Sequence, residues 1–161
     1  MFEILDFLGL SCLINLASST CSKYKDVIIA NLPIIDMLDL IDKFTGQENF
    51  DALEKSFTLL RNLTDENSIL ISSCGDDIMK IVEKSISNRN LPLPVRYQIG
   101  HILVNISNLP IGVVKICANE VLLRLVVEIF YEKNLHLITL ASTTLRNLLS
   151  QSGSGHKHLA N

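Results

Sequence analysis

Four times along the chain, an aliphatic residue, any residue, asparagine and a second aliphatic residue close a stretch of helical spacing. The copies are LINLA (Leu13 to Ala17), LRNLT (Leu60 to Thr64), LVNIS (Leu103 to Ser107) and LRNLL (Leu145 to Leu149). Their asparagines, Asn15, Asn62, Asn105 and Asn147, stand 47, 43 and 42 residues apart. A period of that length belongs to stacked helical units, each too small to bury its own apolar face and completed by its neighbour. The recurrence therefore limits the fold more than any single residue does.

Composition agrees with stacked helices and excludes several functions. Of 161 residues, 48% are hydrophobic and 19% charged, ample for a core and unlike a disordered chain. A net charge of -3 with no basic stripe argues against a nucleic-acid binder. The longest uncharged stretch, Tyr97 to Val114, contains Gly100, His101, Asn105, Asn108 and Pro110, so no membrane span is expected. The apolar run Leu8 to Leu16 is preceded by Glu3 and Asp6 rather than by a basic segment, which speaks against a secretory signal. Cys12, Cys21, Cys74 and Cys117 show no CxxC pairing and read as free thiols packed as small hydrophobes in a reducing compartment, cytoplasm or nucleus.

Taken in order, Phe2 to Ala17 reads as a helix with almost no polar face, which implies a neighbour over it and a chain excised from a longer one. Short helices are expected at Lys25 to Asn31, Ile69 to Cys74 and Ile111 to Ala118, and second helices at Pro33 to Phe44, Asp76 to Ser87 and Glu120 to Glu132. The long helices at Phe50 to Thr64, Val95 to Ser107 and Leu135 to Ser150 carry the motif, with Gly46 ending one helix and Asn49 and Asn134 capping others. Between short and second helix stand Asn31, Gly75 and Asn119, at 16, 13 and 14 residues from the motif asparagine. Gly and Asn are the residues least penalised in the left-handed region, so these three are expected to form tight corners. The helical domain runs over residues 1–151, and the Gly/Ser-rich remainder, 152–161, reads as a flexible tail.

This order resembles the armadillo repeat family: short helix, turn, second helix, and a longer third helix ending in an Asn motif. LLRNLTDENSILISSCGDDIMKIV and LVNISNLPIGVVKICANEVLLRLV carry the resemblance best, and it covers about three and a half units from Met1 to Gln151. It implies an all-α, right-handed α-α superhelix, an armadillo-type solenoid. Its third helices would line a concave groove where the asparagines hold a partner's extended backbone. On this chain the ladder is Asn15, Asn62, Asn105 and Asn147, with specificity set one and two turns earlier. Four residues before each Asn stand Ser11, Thr58, His101 and Thr143, and seven before stand Leu8, Lys55, Gln98 and Leu140. Members that clamp lysine stems place Trp four residues before the Asn, whereas this chain has no Trp. Lys55, Arg61, Arg96, Arg146 and His101 give the face a basic cast suited to an acidic or mixed peptide.

No paired acid and base, nucleophile motif or phosphate loop is visible, and His136, His156 and His158 lack metal-ligand spacing. Asp76 and Asp77 read as caps at a helix start, and Asp36, Asp39 and Asp42 as a solvated face. The expectation is a non-catalytic scaffold without cofactor or metal that binds a protein or peptide segment. The alternative is an architectural segment that self-associates, or joins a larger solenoid, through its apolar N-terminal helix.

Overall fold

A computed structural model describes residues 2–18, 22–88 and 90–155, with side chains for 8–18, 23–88 and 90–151. Among these residues the chain is all-α, without a strand. In order the helices are α1 (Phe2–Ala17), α2 (Ser22–Asn31), α3 (Ile34–Gly46), α4 (Phe50–Thr64), α5 (Ser68–Ile86), α6 (Leu93–Ser107), α7 (Pro110–Cys117), α8 (Glu120–Glu128) and α9 (Leu135–Gly155). One 3-10 turn, Ile129–Tyr131, follows α8.

Local chemistry sets most of the boundaries. Asn49, Asn67, Asn119 and Asn134 each accept a hydrogen bond from the backbone N–H three residues on, so four helices begin on an Asn cap. Each such cap contributes about 1 kcal/mol. Prolines do the same work differently at α6 and α7, where a residue without N–H stands in the first turn. α6 and α7 meet at 115°, and no single helix among the described residues is long and apolar enough to cross a membrane.

The second unit departs from expectation. Residues 68–86 form one continuous helix, α5, and Gly75 lies in its middle rather than at a corner. A helical glycine costs only about 1 kcal/mol relative to alanine, too little to break a helix whose flanks are buried. Gly75 serves close approach instead: a Cβ there would stand 3.0 Å from Cδ of Lys115 on α7. Asp76 and Asp77 are consequently mid-helix, and Asp76 pairs with Lys115 at 2.7 Å while Asp77 pairs with Lys80 at 3.0 Å. The other corner residues are not left-handed either. Asn31 ends α2 and bonds Val27, Asn119 is an extended cap at φ -107°, and no described glycine has positive φ. Among the described residues the left-handed positions are Glu48 and Glu66, both at φ 54°, in the tight links before α4 and α5.

Helices that carry the motif touch in chain order: α4 packs against α1 and α6, and α6 against α4 and α9. Behind them α5 packs on α3, α7 and α8. Leu53, Phe57, Leu60, Ile71, Ile78, Ile99 and Ile102 are fully buried along these contacts. Gly100 admits Leu140 of α9, and Gly112 admits the backbone at Ile106, whose carbonyl oxygen would lie 2.0 Å from an added Cβ. Cys12, Cys74 and Cys117 are free thiols, and Cys12 and Cys117 are exposed rather than packed. Cys21 lies outside the described residues. The stretch read as a tail is helical to Gly155, and residues 156–161 lie outside the described residues.

Candidate partner-binding face

Each motif asparagine after the first reaches back to the previous motif helix. Asn62 Nδ2 donates to the carbonyl of Ile14 at 3.4 Å, and Asn105 Nδ2 donates to the carbonyl of Arg61 at 2.9 Å. Ile14 and Arg61 both stand one residue before a motif Asn. The equivalent carbonyl for Asn147 is that of Val104, but it already accepts from Ser107 Oγ and from the N–H of Asn108. With both lone pairs taken, Asn147 moves along to Ser107 Oγ at 3.0 Å and Asn108 Oδ1 at 2.7 Å. Asn15 is exposed and its amide makes no hydrogen bond to a described residue.

A residue two past the motif Asn makes this reach possible. Ala17, Thr64 and Ser107 are fully buried beneath the next helix, and Thr64 Oγ1 also accepts from Asn105 at 3.4 Å. A small side chain at this position lets the amide approach the main chain. The pattern was visible in the motif as its last, small residue, although the direction of its bonds was not.

These bonds occupy both amide donors of Asn105 and of Asn147 and one of Asn62. The amide oxygens of Asn62 and Asn105 accept no hydrogen bond from a described residue. Thr58 Oγ1 donates to Glu54 and Thr143 Oγ1 to Thr139, each within its own helix. A hydroxyl whose proton is committed in this way still offers lone pairs.

Lys55 and Thr58 of α4 line one cleft with Asn15 of α1, together with Ser11, Ile14, Asp51 and Glu54, about 410 Å³ in volume. Lys55 Nζ donates to Ser11 Oγ at 2.7 Å across it. A second cleft of about 690 Å³ holds Arg61 and Asn62 where α1, α2, α4 and α5 meet, with Lys25 paired to Asp65 at 3.3 Å. Gln98 and His101 belong instead to the α4–α6–α9 junction: Gln98 accepts from Arg61 at 3.2 Å, and His101 lies 5.6 Å from His136 between ring centres. Tyr97 meets His136 edge-on at 4.7 Å. Burial first, then the nearby Arg61 guanidinium and His136, hold the His101 pKa below 6.5.

The charge of the face is mixed rather than basic. Arg96 is half-buried in an ion pair with Glu132, and Asp51 and Glu54 share the Lys55 cleft. From the sequence His136 was weighed only as a metal ligand, since a residue on α9 carries no local sign that it will face His101 on α6. Among the described residues, no group of three or more His, Cys, Asp or Glu side chains could hold a metal ion. Comparison with protein-family models, with curated proteins and with solved structures returned no match.

Proposed function

We propose that the chain is an armadillo-type solenoid segment, right-handed and of about three and a half repeats, that binds an extended segment of another protein along α1, α4, α6 and α9. The observation that carries this reading is the partly directional ladder: Asn105 and Asn147 commit their amide donors within the fold and Asn62 commits one, while the amide oxygens of Asn62 and Asn105 remain as acceptors. Along α4 and α6 a partner therefore contributes N–H groups, from its backbone or from amide and cationic side chains, and at α1 the exposed amide of Asn15 offers both donor and acceptor. Mixed charge around Lys55, Asp51 and Glu54 suits a segment carrying both signs. The reading is non-catalytic.

Selection of a displayed random-peptide library on the wild-type protein tests it. Peptides sharing a consensus are expected, and Asn15→Arg with Thr58→Arg, which fill the cleft between α1 and α4, should abolish their binding without lowering the melting temperature. Peptides without a consensus, or a consensus that binds the filled variant equally well, would remove the proposal.

A further inference from the structure

Three groups able to carry positive charge meet where α4, α6 and α9 join. The His101 and His136 rings stand 5.6 Å apart between centres, and Tyr97 fixes His136 from one side by meeting it edge-on at 4.7 Å. Tyr97 is itself held, since its hydroxyl accepts from Asn134 Nδ2 at 3.0 Å. Arg61 reaches from α4 to Gln98, one turn before His101, through Nη1 at 3.2 Å. Among the described residues neither imidazole makes a hydrogen bond, and Arg61 has no ion pair.

Charge at this junction is one-sided. The charges acting on His101 come from Arg61 on α4 and His136 on α9, and the described residues of α5 and α7, which also pack on α6, add none. Nearby carboxylates are engaged elsewhere, Glu132 by Arg96 and Asp65 by Lys25. Two rings without partners beside a guanidinium, with His101 and Arg61 half-buried, attract an anion and offer it charge-assisted hydrogen bonds. We propose that this junction takes the carboxylate of an aspartate or glutamate on the bound segment together with a proton from solvent. The source of that carboxylate rests on the extended-segment reading above. Near about pH 7 burial keeps His101 mostly neutral, so Arg61 supplies the standing charge and the site matches a monoanion better than a phosphate dianion. A carboxylate beside the ring favours its protonated form, so binding takes up a proton and tightens as pH falls. Asp51 and Glu54 lie by the cleft between α1 and α4, so a segment carrying both signs lies with its acidic part toward α6 and α9.

Acetate probes the site without any peptide. The His101 pKa, read from its imidazole resonance in NMR titrations of the whole chain, should rise with added acetate and not with chloride at equal ionic strength. Acetate should bind about threefold or more tightly at about pH 6 than at about pH 8. Arg61→Gln should lose the acetate-dependent rise, and it keeps the helix seam, because the bond from Asn105 ends on the main chain of that residue. A His101 pKa that is the same in acetate and chloride overturns the proposal, as does an undiminished acetate response in Arg61→Gln. Among peptides selected on the wild type, Asp or Glu should recur at one consensus position, and binding should tighten at the lower pH in wild type but not in His101→Gln. A consensus without Asp or Glu also overturns the proposal. No consensus at all removes the groove reading, and the acetate titration then decides by itself whether the carboxylate site stands.

Discussion

Two glycines of similar appearance in the sequence have opposite expected responses to an added methyl. At Gly112 the obstacle is the backbone carbonyl of Ile106, which cannot swing aside, so Gly112→Ala should cost about 3 kcal/mol or more in urea unfolding. At Gly75 the obstacle is the flexible stem of Lys115 and the backbone is helical, so Gly75→Ala should gain up to about 1 kcal/mol through helix propensity. A loss of stability at Gly75 would mean that the Lys115 stem cannot give way to the added methyl. Asn105 holds two seam bonds, to Arg61 and to the fully buried Thr64, and Asn105→Ala should cost about 1–3 kcal/mol. Asn15 has no such bonds, and Asn15→Ala should be neutral within about 0.5 kcal/mol in the same measurement.

Among elements, the α4–α6–α9 junction makes stability depend on pH. The folded chain holds the His101 pKa below its ordinary 6.5, through burial and the facing charges of Arg61 on α4 and His136 on α9. The unfolded chain then binds more protons, so this contribution is complete above 6.5 and is lost as pH falls through that value toward the folded pKa. Urea unfolding from about pH 8 to about pH 5 should show declining stability, and His101→Gln should flatten the decline. An equal slope in the variant would assign the effect elsewhere. Elements differed in how plainly the sequence announced them. Asn49 and Asn134 were readable as caps, because a side-chain acceptor before an apolar run acts within three residues. Gly75 was not readable as mid-helix, because its role comes from Lys115 on another helix. The links at Glu48 and Glu66 were also hidden, since glutamate does not advertise the left-handed region it occupies there. Of the candidate face, the recurrence of the motif asparagines was legible in the sequence, and the bonds they send back to the preceding motif helix were not. The back-bonding of Thr58 and the neutralising of Arg96 by Glu132 required partners that spacing does not reveal.

Over the whole molecule, stability should be distributed unevenly along the row. α4 and α6 are each packed on both sides by motif helices, whereas α1 and α9 have one such neighbour. Amide hydrogen exchange should therefore be slowest in Leu53 to Leu63 and Ile99 to Ile106 and fastest toward the two ends. Uniform protection from α1 to α9 would mean that the chain unfolds as a single block. The seam bonds to Ile14 and Arg61 end on main-chain oxygens, which every residue type possesses. Alignment between neighbouring helices therefore asks little of side-chain identity on the receiving strand of contacts, and nothing of the length of the links between them. Unequal intervals of 47, 43 and 42 residues can coexist with a common docking register. A few residues inserted between Asn88 and Leu91 should be absorbed locally, leaving the helices on either side where they were.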